Sequence, residues 1–443
     1  MIEIINNYLW IFVVIIMILS SLYFTFKLKG AQFNFKEMLK NIIRNDSNAK
    51  VSPFSALMLS LAGRIGVGSI SGVALAIYIG GSGTIFWLWI MAFIGSILTF
   101  SETVLASKYH IKDGNVFVGG PSYYIEKGLK KRWLGILYSI TIIIAYVCFF
   151  IAIQSNTITK SVGNFEIFSN IQYLSYIIGS LLAILISFII FGGIDRITSF
   201  TNKLVPIMGI FYLSLSFYAV LKNINDVPIV LNTIIKNAFS LKAGLGALIG
   251  GVILTGIKRS VFSSEAGIGT GAIASSISDT KYPASLGYVQ MLGIYVTTLI
   301  ICTSTAMIIL LGPTLTDIID ANGIEFAQNA FDYHFGSLGS ISLFMCVFMF
   351  SFSTILTGYY YGEACFKHIF KSNKGNLIIK LGTVIVVFVG TVISSQILWN
   401  LVDMFIALLA LINIYAMFAL RKDVIQEYEE YGKWCLVMIG ILF

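Results

Sequence analysis

The chain alternates long apolar runs with short polar ones. Apolar stretches fall near 8–27, 54–79, 83–107, 134–156, 172–192, 203–221, 242–257, 283–312, 337–362, 377–395 and 397–420. Most approach the roughly 20 residues that carry a helix across the hydrocarbon core of a bilayer. Backbone N–H and C=O groups in hydrocarbon must be satisfied internally, so helices are the expected form. The pattern predicts an all-α polytopic membrane protein with about eleven transmembrane helices. A further stretch, 260–277, is rich in Gly, Ser and Ala. It reads as a helix lying in or beside the membrane rather than as a span.

Two runs are interrupted. The second, LAGRIGVGSISGVALAI, carries Gly63, Gly66, Gly68 and Gly72 beside Arg64, Ser69 and Ser71. Glycine weakens a helix by about 1 kcal/mol against alanine, and glycine–serine clusters are kink sites. Close packing of small residues between helices is one reading. The other is an unwound segment whose free N–H and C=O groups bind a ligand or ion. Arg64 favours the second, because a charge inside a span is costly and seldom merely structural. The seventh run carries Gly250, Gly251, Thr255 and Gly256, followed by a second glycine–serine stretch. Two such spans, five apart, have the spacing of an inverted five-plus-five repeat. Breaks are expected near Gly66–Ser69 and Gly250–Gly256. Residues 1–50 then form an extra N-terminal helix with a basic loop, 51–223 the first repeat, 224–422 the second, and 423–443 a tail. Other polar residues sit within spans: Glu102, the run Gln154–Asn156, and the pair Ser353 and Thr354. Such a hydroxyl pair either bonds back to its own helix carbonyls or serves a hard cation, which takes oxygen ligands.

Composition agrees with a lipid environment. Hydrophobic residues make up 57% and charged residues 11%, with mean hydropathy +0.88; soluble domains carry about 25% charge. The net charge of +8 is no nucleic-acid signal, because the cations alternate with the spans. With the N-terminus outside, one side receives most of them: Lys27–Lys50, Lys108–Arg132, Arg196–Lys203, Lys258–Lys281, Lys367–Lys380 and Arg421–Lys433. The other side holds Lys160, Lys222, Lys236 and Lys242. The positive-inside rule then places the C-terminus in the cytoplasm of a cell bounded by this membrane, expected to be a bacterial inner membrane. The first run is too long for a signal-peptide core and is followed by basic residues, so it reads as a retained helix. Five cysteines lack metal-like spacing, and three histidines form no cluster with them. Neither a zinc or iron site nor another cofactor is expected. An integral membrane enzyme would need clustered His, Cys or paired carboxylates deep in its spans, and the sequence offers none.

Several long motifs resemble those of the alanine-or-glycine:cation symporter family, also called sodium:alanine symporters. Leu61–Trp89, LAGRIGVGSISGVALAIYIGGSGTIFWLW, is similar to the family's LAARxGxGNIxGVAxAI followed by GGPGAxFWMW. GGPSYYIEKGL (Gly119–Leu129) matches GGPxYYIxxGL, and RSVFSSEAGIGT (Arg259–Thr270) matches RGxFSNEAGMGS. QMLGIYVTTLIICTSTA (Gln290–Ala306), STILTGYYYGE (Ser353–Glu363) and Trp399 with Asp403 complete the series in the family's order.

The resemblance implies the leucine-transporter fold, an inverted repeat of five helices with one extra N-terminal helix. It also implies sodium-coupled uptake of alanine or glycine, with sodium as coupling ion. An amino-acid carboxylate would lie against Gly66, Val67, Gly68 and Ser69, at the positive end of a half-helix. The resemblance implies Gln154 and Thr354 as substrate-facing groups and Gly358 as a pocket wall; Thr255 is the counterpart in the seventh span. Sodium would take carbonyls of Ile65 and Gly68 with the hydroxyls of Ser353 and Thr354. Arg64 and Glu265 are gating candidates, Glu102 a second partner for Arg64. The chain departs from the family pattern where chemistry sits: Ser69 and Ser264 stand for asparagine, Thr297 for aspartate, Thr99 for lysine and Gly358 for tryptophan. Glycine in place of tryptophan removes a side chain that buries about 150–250 Å². A neutral amino acid bulkier than alanine is therefore an alternative substrate, unless Tyr359 or Tyr360 refills the space. A transport-inactive sensor or scaffold of the same fold is the rival reading.

Overall fold

The computed structural model describes residues 2–43, 51–114, 116–163, 165–169, 171–239, 251–313, 323–371, 376–393 and 395–440. The first apolar run forms helix α1 (Ile2–Lys27), and an amphipathic α2 (Phe35–Ile43) follows it. The second run is one span in two pieces. Helix α3 (Pro53–Arg64) starts on a Ser52 cap and a proline in its first turn, where the missing N–H costs nothing. It ends at Ile65, and the chain resumes as a π-turn, Gly68–Gly72, that leads into α4 (Val73–Gly80). The two pieces bend by 55°. The predicted break at Gly66–Ser69 is in place.

Helix α5 (Thr84–Tyr109) is followed by an antiparallel hairpin, β1 (Ile111–Asp113) paired with β2 (Val116–Val118), and by α6 (Pro121–Gly128). The third long run is α7 (Arg132–Ile142), continued through a π-segment into α8 (Ile151–Gly163). A short α9 (Glu166–Ser169), α10 (Leu174–Ile190), α11 (Gly193–Lys222) and α12 (Val227–Ala238) complete the first half.

The second half opens with α13 (Val252–Ser264) and a short α14 (Thr270–Ser275). Here the expectation needs correction. Gly250 lies outside the described residues, and Gly251 caps the helix rather than breaking it. Gly256 sits inside a continuous helix because a Cβ there would stand 2.4 Å from the Thr84 carbonyl oxygen and 2.9 Å from the Trp87 Cβ. It is a close-packing glycine. The break falls at Glu265–Gly269, where Glu265, Gly267 and Gly269 all have left-handed φ (57°, 75° and 100°). The stretch 260–277 is therefore the broken middle of the seventh span, not a helix beside the membrane.

The remaining helices are α15 (Pro283–Tyr295), continued through a π-segment into α16 (Thr303–Leu310), then α17 (Gly323–Phe335), α18 (Gly339–Phe370), α19 (Asn376–Gly390), α20 (Ser395–Ala419) and α21 (Arg421–Gly440). Among the described residues, seven helices are long and apolar enough to cross a bilayer, and the bent α3–α4 pair makes an eighth. The shorter apolar α10 and α19 and the broken α13–α14 stand at the three remaining apolar runs.

The C-terminal ends of α5 and α18 meet the hairpin, α6 and α21 at one end of the bundle: Lys108 pairs with Asp423 (3.1 Å) and Lys367 with Asp113 (3.0 Å). At the opposite end, α12 leans on α5 through Trp87 Nε1, which donates to the Ala238 carbonyl, and Gly323 of α17 abuts Ser71 and Leu75 of the first broken span. Helices α3, α5, α13, α15 and α18 pack around the two breaks, which places both breaks in the protein's interior.

Candidate substrate and ion site

The first break is lined by groups from three helices. At Gly66 a Cβ would stand 2.5 Å from Thr354 Oγ1 and 3.2 Å from Gln154 Oε1, so only glycine lets α3, α8 and α18 meet there. The free N–H of Val67 donates to Gln154 Oε1 at 3.1 Å. Gln154 is fully buried and its Nε2 has no hydrogen-bond partner. A buried amide with an unused donor, aimed into a broken helix, can bind an acceptor such as a carboxylate oxygen.

Ser353 and Thr354 stand beside the last turn of α3. The Thr354 hydroxyl donates to the Ala62 carbonyl at 2.9 Å, and the Ser353 hydroxyl reaches the same oxygen at 3.3 Å. Both also bond back to the Phe350 carbonyl of their own helix, at 2.9 Å each. The two uses of such a pair coexist. Several oxygens thus converge at the C-terminal end of a half-helix, where the dipole is negative. That is the chemistry a hard monovalent cation requires.

The predicted site residues separate into groups. Gly66, Val67, Gln154 and Thr354 come together, and Ser353 joins them through Ala62. Ile65 is the residue that leaves α3, with ψ at 73°. Gly68 instead packs on the Phe262 ring, where a Cβ would stand 2.7 Å from Cδ1, and so lies away from the hydroxyl pair. Ser69 turns toward α13: its Oγ lies 2.9 Å from Ser263 Oγ, which in turn lies 3.2 Å from Cys302 Sγ. Thr305 Oγ1 donates to the Ser69 carbonyl at 2.7 Å. Thr255 belongs elsewhere; it lines a cleft of about 360 Å³ with Ser71, Asn156 and Lys160. Gly358 follows Thr354 by one turn, and Ile151 occupies the space beside it, with Cγ1 3.2 Å from a Cβ built there. The Tyr360 side chain does not come within 4 Å of that Cβ.

Charges complete the surroundings. Lys258 and Arg259, read from sequence as loop residues, lie on the half-helix α13 and pair with Asp403 at 2.6 and 2.7 Å. The Arg259 guanidinium lies 4.9 Å over the Trp399 ring, which packs 4.8 Å from Phe262. This layer stands between the cleft and Gly68. Sequence reasoning gave it no role, although Trp399 and Asp403 were among the motif residues. On the other side of the break, Arg64 is 1% exposed and donates from Nη1 to the Gln290 carbonyl at 3.2 Å. Gly271 and Gly293 make room for it, since a Cβ at either would lie within 2.5 Å of the guanidinium. Glu265 accepts from Thr270 Oγ1 (2.8 Å) and Tyr361 Oη (3.1 Å). Glu102 accepts from Asn413 Nδ2 at 2.8 Å.

The sequence pattern described as "Sodium:alanine symporter family" matches residues 1–435. A Bacillus subtilis protein named probable sodium/glutamine symporter GlnT is 36% identical over 433 residues, covering 97% of this chain and 89% of the relative. The sodium/alanine symporter AgcS of Methanococcus maripaludis is 35% identical over 397 residues, covering 87% of this chain and 85% of the relative. Among solved structures, MhsT in complex with L-phenylalanine superposes with a TM-score of 0.59 at 15% identity, covering 87% of this chain and 93% of MhsT. A sodium-coupled sialic acid symporter gives 0.54 at 11% identity, covering 93% and 82%. These two likenesses show the fold, the leucine-transporter architecture of two inverted repeats after an extra helix. The relatives are transporters rather than enzymes, and the chain belongs to the sodium:alanine symporter family.

Proposed function

We propose that this chain is a symporter that imports a small neutral amino acid with sodium across the plasma membrane, its N-terminus outside and its C-terminus in the cytoplasm. The carrying observation is the convergence of Gln154, Thr354 and Ser353 on the first break. The substrate carboxylate lies against the N–H groups that follow Gly66 and against Gln154 Nε2. Sodium takes the Ala62 and Ile65 carbonyls and the hydroxyls of Ser353 and Thr354. Closing the break around both ligands favours the occluded state, so uptake follows the sodium gradient by alternating access. The cleft lined by Lys160, Lys258 and Asp403 is the outer approach.

Ile151 beside Gly358 supports a modest pocket, in the range from alanine to glutamine, rather than one suited to an aromatic substrate. The test is uptake by the purified protein in proteoliposomes under an inward sodium gradient, with glycine, alanine, glutamine and phenylalanine as competitors. Sodium-dependent uptake blocked by the first three and not by phenylalanine is expected. Amino-acid binding without any sodium-driven uptake would favour the sensor reading instead.

A further inference from the structure

The interior beside the second break holds three ionisable side chains: Arg64, Glu102 and Glu265, at 1%, 0% and 0% exposure. One guanidinium faces two carboxyl groups. Ionising both carboxyls would leave a net negative charge in the middle of a membrane bundle, which is costly unless a further cation joins them. The two carboxyls are not equally provided for. Glu265 accepts hydrogen bonds from Thr270 and Tyr361. Glu102 accepts a single hydrogen bond, from the neutral amide of Asn413, where Glu265 accepts two, and the Oε1 of each carboxyl has no hydrogen-bond partner. The other ionisable groups turned toward Glu102 are Tyr124, Tyr138 and Tyr361, none of them a cation.

We infer that Glu102 is a proton-binding site: in this conformation Glu265, which accepts two hydroxyl hydrogen bonds, is the ionised carboxyl that balances the charge of Arg64, and the Glu102 carboxyl carries a proton. The counter-charge is a proton rather than a metal ion because of how Asn413 is held. Its Nδ2 donates to the Gly267 carbonyl (3.0 Å), which can only accept, and so lies on the side that faces Glu102, while Tyr124 Oη donates to its Oδ1. An N–H turned toward the carboxyl repels a metal ion and tolerates a carboxylic acid, whose carbonyl oxygen can accept from it. Gly267 and Gly269 belong to the left-handed segment that joins α13 to α14. Any motion of α14 away from α5 and α20 breaks the Asn413–Gly267 contact and lets water reach Glu102. The proton then passes to water and the carboxylate remains. Opening of this side of the bundle is thereby linked to proton release, whatever amino acid the first break binds.

The experiment is infrared spectroscopy of the full-length protein in lipid nanodiscs at neutral pH, which reads the carbonyl band of a buried protonated carboxyl directly. The band is expected in the unmodified protein, lost in Glu102→Gln and shifted in Glu102→Asp, which keeps the acid on a shorter arm. No such band in the unmodified protein, or a band unchanged by both substitutions, overturns the inference. If Glu102→Gln does not fold, the unmodified protein and Glu102→Asp still decide. A second arm measures the pH dependence of sodium-driven alanine uptake in proteoliposomes. Its loss in Glu102→Gln, with sodium-dependent thermal stabilisation retained, is expected. An unaltered pH profile in that variant overturns the link to opening. The infrared arm needs no transported substrate, so its failure is distinct from failure of the symport reading.

Discussion

The first break interrupts its helix without a single left-handed residue, whereas the second carries three in five positions: Glu265, Gly267 and Gly269. In the first, glycine serves close approach. Gly66 admits Thr354 and Gln154, and the groups around it are neutral hydroxyls, amides and carbonyls. In the second, glycine serves backbone conformation, and a charged residue sits at the bend. A non-glycine residue in the left-handed region costs roughly 1–2 kcal/mol, which Thr270 and Tyr361 offset by holding the Glu265 carboxylate. The same architectural device thus yields an oxygen-rich cluster of hydroxyls and carbonyls at one break and a buried carboxyl held by hydroxyls at the other. On the reading proposed above, ligand binding and conformational control fall on different broken helices.

The comparison breaks most visibly at Arg64. Removing the guanidinium in Arg64→Ala takes away a buried cation beside two buried carboxyls and the hydrogen bond to the Gln290 carbonyl, so the variant is expected to be less stable. Folded protein that survives is expected to lose transport far more than equilibrium binding of sodium and substrate. Equal losses in uptake and in ligand-induced thermal stabilisation would make Arg64 part of the ligand site and erase the division proposed.

Matched glycine substitutions sharpen it next. Gly66→Ala adds a methyl group 2.5 Å from the Thr354 hydroxyl, and overpacking of this kind costs about 1–3 kcal/mol. The cost should appear as a roughly 10- to 100-fold weaker apparent affinity for sodium and substrate. Gly269→Ala must instead adopt φ near 100° and meet Pro121 and Tyr138, so it should lower the thermal unfolding temperature in the absence of any ligand. If the two variants fail in the same way, the breaks do not differ in role.

Thr354→Val keeps shape and removes the oxygen. A loss of about 1 kcal/mol per oxygen contact corresponds to a roughly fivefold weaker sodium activation constant for uptake. Unchanged sodium activation would remove Thr354 from the ion site. The smallest effect is expected at Gly358→Ala, where the new methyl group meets only the side chain of Ile151, at 3.2 Å. It should narrow the pocket and raise the preference for alanine over glutamine a few-fold, with little change in maximal rate; an unaltered competition ratio would move position 358 out of the pocket wall.

Much of this was legible in the chain itself because membrane proteins write their architecture in composition. Span length follows from bilayer thickness, and an apolar run such as Ile2–Lys27 admits few other structures. The first break was legible for a similar reason: Gly63, Gly66, Gly68 and Gly72 crowd one span together with Arg64, and packing alone does not call for the charge. The second break was misplaced. On paper the glycines of Gly250–Gly256 look like those of Glu265–Gly269, and only the Thr84 and Trp87 contacts show that Gly256 is there for packing. Lys258 and Arg259 were counted as loop cations because nothing local pairs them; their partner, Asp403, lies in a different helix far along the chain.

The sequence by itself determined the helical membrane class and the family, and it singled out Gly66, Gln154, Ser353 and Thr354 as candidates, since each is a local pattern or a motif. The tertiary structure alone decided which of these meet. It brought Gln154 and Thr354 to Gly66, turned Ser69 to Ser263, sent Thr255 to the cleft, set Ile151 beside Gly358 and gave Arg64 two unequal carboxyls. Those outcomes depend on how helices far apart in the chain pack, and a buried polar group takes its role from the partners that packing supplies.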